Sequence, residues 1–164
     1  MSSMDLIKKL RNSTGSGIVD CKKALSENNN DLDAAVKWLR EKGILKAQKK
    51  QDRETNEGVV SFYHNSSHIN FTVCKIKCET DFVAKNNDFL DFAASLSKAI
   101  HENKNINEHG TDKDLSGLTI NEQSLNDCLT DLISKIGENV QIVSYKKYFS
   151  DKSIFITYLH NKYN

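Results

Sequence analysis

The sequence predicts an α+β protein, with a helical module first and a core of strands and helices after it. Three observations predict this fold class. Apolar residues recur at helical spacing up to about residue 45, whereas the next dozen residues are almost all polar or charged. From Gly58 onward, branched and aromatic residues form strand-like runs. We therefore predict a three-helix module over 1–45, a charged linker over 46–57 and a core subdomain over 58–164.

The three helices of the module are delimited by residues that start or stop helices. The first breaks at Thr14–Gly17, where two glycines supply open conformations, and the second stops at Asn28–Asn30. Asp31 is a suitable N-terminal cap for the third, and Gly43 is predicted to close it. The predicted apolar sides of the three helices are Leu6, Ile7 and Leu10; Ile18, Cys21, Ala24 and Leu25; and Leu32, Ala35, Val36 and Leu39.

The core is predicted to follow the order strand, strand, helix, helix, strand, strand, which gives a small antiparallel sheet backed by helices. In the second strand, Ile69, Phe71 and Val73 share one face, whereas Cys74, Ile76 and Cys78 share the other, which indicates a bulge or burial on both faces. The predicted elements are a hairpin of 59–63 with 69–78, a helix over 87–103, a helix from Asn121 or Ser124 to Gly137, and a second hairpin of 140–149 with 153–159.

Overall composition limits the classes of partner. The chain has 164 residues, of which 27% are charged, and its net charge of +1 gives no support to direct nucleic-acid binding. No apolar run approaches the roughly 20 residues of a membrane span. With widely spread cysteines and no signal peptide after Met1, we expect a cytoplasmic protein with free thiols.

The sequence shows no catalytic constellation, so we predict that the protein is not an enzyme and needs no cofactor or metal. The histidines are scattered, and His64 and His68 flank a turn without converging on one metal. Cys78 beside Glu79 is the one candidate thiol nucleophile, and no histidine base is placed near it by sequence. A basic cluster at Lys46–Lys50 is interpreted as a solvated face rather than a phosphate site.

The run Cys78–Lys85 lies at a predicted strand-to-helix corner. For the tripeptide Thr80–Phe82 taken alone, the common interpretation places Phe82 in the core and makes Asp81 a local cap. The alternative is that the corner presents Phe82 as a wedge, with Asp81 satisfying the free amides at the helix start. A separate helical module and a charged linker ahead of the corner favour the second interpretation.

Five segments together resemble the bacterial elongation factor Ts family, the guanine-nucleotide exchange factors of elongation factor Tu. The first, Leu10–Leu25, reads LRNSTGSGIVDCKKAL and fits the family's N-terminal motif almost throughout. Each segment alone is moderately specific, whereas five in the family's order are very specific. The other four are Asp33–Gly43, Cys78–Ala84, Ile133–Val140 and Tyr158–His160.

The resemblance implies a ubiquitin-associated-like module, the first half of an exchange core, elongation factor Tu as the partner, and a role in translation elongation. It assigns the nucleotide-exchange wedge to Thr80, Asp81, Phe82 and Val83. It assigns partner contacts to Ile18, Val19 and Lys22 in the module and to Ile136, Gly137 and His160 in the core. Family members usually continue into a second core half, whereas this sequence ends at Asn164, so we leave open a homodimer in which a second copy supplies that half.

Exchange of this kind requires no covalent chemistry, only tighter binding to the nucleotide-free partner than to the nucleotide-bound one. Burial of one phenylalanine contributes roughly 1.5–3 kcal/mol, enough for about a ten- to hundredfold shift. The sequence leaves two other classes open: a binding protein without exchange activity, and an enzyme that uses Cys78.

Overall fold

A computed structural model describes residues 3–65, 69–152 and 154–158. The helices are α1 (Ser3–Thr14), α2 (Ile18–Glu27), α3 (Leu32–Gln48), α4 (Asp81–Ala84), α5 (Asn87–Glu102) and α6 (Leu125–Ile136), with a 3-10 turn at Asp112–Leu115. The strands are β1 (Glu57–His64), β2 (Asn70–Cys78), β3 (His109–Gly110), β4 (Thr119–Ile120), β5 (Gln123–Ser124) and β6 (Val140–Phe149). The predicted α+β class is confirmed.

The chain divides into two compact units. A helical unit contains the residues up to Asp52 together with Thr130–Gly137, and a sheet unit contains Arg53–Leu129 and the residues from Glu138 on. The division after Asp52 falls inside the segment predicted as a charged linker. Helix α6 contributes its first residues to the sheet unit and its last turns to the helical unit.

The core of the helical unit is formed by the apolar sides of α1, α2 and α3. Asp31 caps α3, because its side chain accepts a hydrogen bond from the Ala34 amide at 3.0 Å. The buried residues are Ile7, Leu10, Cys21, Ala24, Leu25 and Ala35, with Leu6, Leu32, Trp38 and Leu39 packed against them. Two residues predicted on the inner sides, Ile18 and Val36, are exposed instead.

The prediction that Gly43 ends the third helix is wrong, because α3 continues to Gln48 and Gly43 is buried within it. A Cβ atom at Gly43 would lie 2.8 Å from Ser134 Oγ and 3.8 Å from the methyl group of Thr130. This glycine therefore permits close approach of the last turns of α6 within the same unit, and it does not adopt a left-handed capping conformation.

The sheet of the second unit has the strand order β1-β2-β6-β3. The first predicted hairpin is confirmed, with antiparallel register from Glu57 opposite Cys78 to His64 opposite Phe71. The face of β2 that carries Thr72, Cys74, Ile76 and Cys78 is buried throughout. The opposite face is half-buried around Phe71, whose ring stacks on Phe62 at 5.5 Å.

The expected bulge lies in β6 rather than in β2. Lys75 pairs with Ser144 whereas Ile76 pairs with Ile142, so Val143 is the extra residue of the ladder. The alternation of buried residues along β2 is regular, and the apparent change of phase in the sequence reflects apolar residues on both of its faces.

Helices α5 and α6 confirm the two helices predicted for the core. The inner side of α5 is buried at Phe89, Phe92, Ala93, Leu96, Ser97 and Ile100. Ser124 precedes α6 and accepts a hydrogen bond from the Asp127 amide at 3.1 Å. Gly137 ends α6 with a φ of +81°, and its amide donates to the Ile133 carbonyl at 2.9 Å.

The second predicted hairpin is wrong over residues 154–158, which form no strand; Ser153 and Leu159 lie outside the described residues. β6 instead pairs with β2 from Val140 to Phe149. Its other edge pairs with β3, where Lys146 and Tyr145 lie opposite His109 and Gly110. A strand after β6 would have to compete with β3 for that edge.

Candidate functional site

The Thr80–Val83 corner joins the end of β2 to the single turn of α4. Thr80 has extended dihedrals (φ −125°, ψ 158°) and is the N-terminal cap, since its Oγ1 accepts from the Val83 amide at 3.4 Å. The N-terminal cap is therefore Thr80, and the common interpretation that makes Asp81 the local cap is wrong. Asp81 is already the first helical residue, and its Oδ2 accepts a hydrogen bond from Lys85 Nζ at 2.7 Å.

Phe82 is 82% exposed, although the two residues after it are buried. Successive residues of a helix point about 100° apart, so a single turn that buries Val83 and Ala84 directs Phe82 outward. The interpretation of Phe82 as a core residue is wrong. The sheet unit thus presents an isolated aromatic ring to solvent at a defined point of the backbone.

The carboxylate next to this ring carries a negative charge at neutral pH. Its hydrogen bond with Lys85 is the main cause that lowers the pKa of Asp81, with smaller contributions from the amides at the helix start. Asp81 and Lys85 are one turn apart on the surface of α4, so the ion pair is solvent-exposed.

The corner is hydrogen-bonded to residues that directly follow Gly137. The Glu138 carboxylate accepts from the Thr80 amide at 3.0 Å and from the Thr80 hydroxyl at 2.7 Å. The Asn139 amide donates to Glu79 Oε1 at 2.6 Å. Sequence reasoning did not assign a role to Glu138 or Asn139, although both lie inside the Ile133–Val140 segment that resembles the family.

Three of the predicted partner-contact residues lie at the start of α2, in the helical unit. Ile18 is 55% exposed, Val19 is 80% exposed, and Lys22 is also exposed. The opposite side of α2 is buried, so these side chains form an accessible surface on a fixed helix. Asp20 on the same turn forms an ion pair with Lys46 at 2.8 Å, which gives that lysine of the basic cluster a partner.

The remaining predicted contacts are divided. Ile136 is half-buried at the end of α6, and Gly137 is exposed after it. His160 lies outside the described residues, as does His68 of the predicted turn. Residues 3–65, 69–152 and 154–158 contain no group of three His, Cys, Asp or Glu side chains that could hold a metal ion.

The Cys78 thiol is unsuited to nucleophilic catalysis. Cys78 is fully buried, and burial, followed by the charges of Glu138 and Glu57, raises its pKa to about 11. Its Sγ donates a hydrogen bond to the Thr80 carbonyl at 3.2 Å. Cys78 is therefore a protonated structural residue beneath the corner at neutral pH.

Comparison with known proteins gives one consistent result. A family model described as "Elongation factor TS" matches residues 79–164, and one described as "Elongation factor Ts, mitochondrial, N-terminal" matches residues 1–50. The chain is 36% identical to elongation factor Ts of Clostridium perfringens over 160 residues, which is 98% of this chain and 52% of that protein. It is 40% identical to that of Alkalilimnicola ehrlichii over 161 residues, 96% of this chain and 53% of the relative.

The similarity to elongation factor Ts of Campylobacter hominis is 39% over 156 residues, 95% of this chain and 43% of that protein. The chain thus spans about half the length of the curated relatives it matches. In the described part of the chain, no helix combines the length and apolar character required to cross a membrane.

Proposed function

The chain belongs to the elongation factor Ts family, and we propose on this basis that it binds elongation factor Tu carrying GDP and promotes release of the nucleotide. GTP then rebinds to the emptied partner. The chain makes no covalent bond in this process and acts by binding alone. In the cell this activity belongs to translation elongation in the cytoplasm.

The observation that carries the proposal is the exposed ring of Phe82 on a corner that is otherwise fixed. A wedge must be accessible before it meets its partner, and its backbone must be held in place. Phe82 is 82% exposed, whereas Val83 on the same turn is 8% exposed. Apolar area on the ring is therefore available for burial against a partner, which contributes roughly 1.5–3 kcal/mol for a phenylalanine.

Release follows when this burial occurs only in the nucleotide-free conformation of the partner. Binding that is equal in both conformations would shift nothing, because only the difference in affinity moves the equilibrium. The factor weakens GDP binding by the same ratio by which GDP weakens the factor. The charged Asp81 carboxylate beside the ring adds an electrostatic contribution close to the phosphates and magnesium of the partner.

The surface formed by Ile18, Val19 and Lys22 is proposed as the anchor. Two exposed branched residues and a lysine on one helical turn offer apolar contact and a positive charge together. A second contact of this kind raises the effective concentration of the wedge at the partner. Ile136, Gly137 and His160 are proposed as further contacts with the partner.

The test is release of a fluorescent GDP analogue from elongation factor Tu, measured with and without this chain. Phe82→Ala is expected to reduce the acceleration by about ten- to hundredfold, because the apolar contribution of the ring is lost. Phe149→Ala is the matched control, since Phe149 is also an exposed phenylalanine (70%) and has no proposed role. Equal acceleration by Phe82→Ala and the unmodified chain would contradict the wedge assignment.

The anchor is tested separately in the same assay. Val19→Asp is expected to raise the concentration of the chain needed for half-maximal acceleration by about tenfold, with the maximal rate preserved. Tight binding to elongation factor Tu without faster GDP release would instead favour the class of binding proteins without exchange activity.

The homodimer stays a prediction. Ile154 and Ile156 are 67% and 87% exposed, so a second copy would have apolar area to cover in the segment after β6. Sedimentation equilibrium over a range of protein concentrations measures this directly, and a single monomeric mass throughout would contradict it.

A further inference from the structure

We propose that Glu138 and Asn139 are positioning residues that hold the Thr80–Val83 corner in the conformation that presents Phe82. The inference rests on the proposed function for its biological meaning and on hydrogen-bond geometry for its physical content. All of the residues concerned belong to the sheet unit.

Glu138 binds Thr80 through both of its carboxylate oxygens. Oε2 accepts from the backbone amide at 3.0 Å, and Oε1 accepts from the hydroxyl at 2.7 Å. Two bonds from one planar group fix both the backbone and the side chain of the residue that caps α4. Glu138 is 58 positions away in sequence, so these bonds tie the corner to a different part of the unit.

The Thr80 hydroxyl both donates and accepts a hydrogen bond. It donates to Glu138 at 2.7 Å and accepts from the Val83 amide at 3.4 Å. Aspartate, asparagine and serine are all suitable N-caps in general, but a carboxylate could not donate a hydrogen bond to Glu138. The arrangement therefore requires a side chain at position 80 that both donates and accepts hydrogen bonds, as the threonine hydroxyl does.

Asn139 forms the second attachment. Its amide donates to Glu79 Oε1 at 2.6 Å, and its side-chain Nδ2 donates to the Arg53 carbonyl at 2.9 Å. Asn139 is 1% exposed, so its bonds are shielded from water. The Arg53 guanidinium lies 3.5 Å from the same oxygen of Glu79, which adds a partly exposed ion pair.

These attachments are needed because the corner cannot hold itself. A helix of four residues is far below the length at which helices are stable in water. Phe82 contributes little to its own placement, because its ring is mostly in solvent. The direction of the ring is therefore determined by the backbone at Thr80 and by the burial of Val83 and Ala84. A pre-ordered wedge also avoids the loss of conformational freedom on binding.

The first part of the experiment uses the 164-residue chain alone and measures amide hydrogen exchange. Glu138→Ala is expected to raise the exchange rates of the Thr80 and Val83 amides by about tenfold or more, with Leu96 in α5 unchanged. Glu138→Gln, which retains one acceptor oxygen, should give an intermediate rate, and Thr80→Ser should keep the protection of the unmodified chain. Glu102→Ala is the matched control, an exposed glutamate on α5 whose removal should leave the corner unchanged.

The second part measures GDP release from elongation factor Tu. Glu138→Ala is expected to lower the maximal rate of GDP release, at a saturating concentration of the chain, by about tenfold. The concentration needed for half-maximal release should change less than about twofold. This split is expected because the proposed anchor on α2 is untouched. Thr80→Ser keeps the hydroxyl that binds Glu138, so it should retain nearly full activity.

Two results would overturn the proposal. One is unchanged protection of Thr80 and Val83 in Glu138→Ala. The other is lost protection at the corner with full exchange activity. If Glu138→Ala also raises exchange in α5, the test uses Glu138→Gln in its place. Equal protection of the Thr80 and Val83 amides in Glu138→Gln and in the unmodified chain would then reject the positioning role. If the unmodified chain fails to release GDP, the proposed function fails, while the exchange rates of the chain alone still decide whether Glu138 holds the corner.

Discussion

At the Thr80–Val83 corner, neighbouring side chains take different roles because a single helical turn points them in different directions. Thr80 caps the turn and donates hydrogen bonds to the Glu138 carboxylate, Asp81 binds Lys85 on the surface, and Phe82 faces solvent. Val83 completes the set by packing inward. The division of roles follows from backbone direction, which residue type alone does not specify.

The four cysteines differ in accessibility, and thiol labelling of the folded chain should report this. Cys21, Cys74 and Cys78 are buried, whereas Cys128 is only half-buried. Burial raises the pKa of Cys21, and it raises the pKa of Cys74 to about 11, so little thiolate is available at neutral pH. With iodoacetamide we expect one fast-reacting thiol, which peptide mass mapping should identify as Cys128. The other three thiols should react only when the fold opens.

Cys128→Ser is the control for this assignment, and it should remove the fast phase without changing the slow one. Fast labelling of Cys78 in the folded chain would contradict the expectation and revive the thiol-nucleophile alternative.

At the scale of the elements, β1 approaches β2 unusually closely at Gly58. Gly58 has a φ of +150°, and a Cβ atom there would lie 2.8 Å from the Lys77 Cα, with the Ile76 carbonyl nearer still. Backbone atoms cannot move aside as a flexible side chain can. Glycine is therefore required at position 58 of β1, opposite the end of β2 that leads into the corner.

Gly58→Ala is expected to lower the free energy of unfolding by at least about 2 kcal/mol, because strain of the left-handed region is combined with a backbone clash. Gly117→Ala is the matched control, since Gly117 also has a positive φ (+83°) but has no atom within 4 Å of an added Cβ. Its loss should be limited to about 1 kcal/mol. Urea unfolding of both variants measures the difference, and equal losses would show that the close approach contributes nothing.

For the whole molecule, stability should fall at alkaline pH because buried thiols resist ionisation. Burial raises the pKa of both Cys74 and Cys78 from 9.0 to about 11. Between these values the unfolded chain releases the two protons and the folded chain retains them, so their contribution is complete below pH 9 and is lost as pH rises through about 11. The expected loss is up to about 2 kcal/mol per thiol at pH 11.

The measurement is urea unfolding under reducing conditions at pH 7, 9, 10 and 11. The variant with both Cys74→Ala and Cys78→Ala should be less stable at pH 7, because cavities are created, but its stability should fall less steeply above pH 9. Parallel curves for the two proteins would show that other groups, such as tyrosine and lysine, account for the whole alkaline loss.

Much of this molecule was predictable from local pattern. The periodicity of α5, from Phe89 to Ile100, and the alternation of the first hairpin identified their elements and buried faces. Such patterns suffice because the side-chain directions of helices and strands repeat every few residues. The order of the five motifs along the chain likewise identified the family, since motif order is a property of the sequence alone.

Only the tertiary structure decided the features that depend on residues distant in sequence. Gly43 has the spacing of a helix end, but Ser134 packs beside it within a continuous helix, and the partners of β6 depend on β3 occupying its second edge. The contacts of Glu138 with Thr80 span 58 positions. Local spacing carries no record of such pairs, because packing brings them together only after each element has formed. The sequence by itself therefore determined the main helices, the first hairpin and the family, and the tertiary structure decided the partners of β6 and which distant residues contact the corner that presents Phe82.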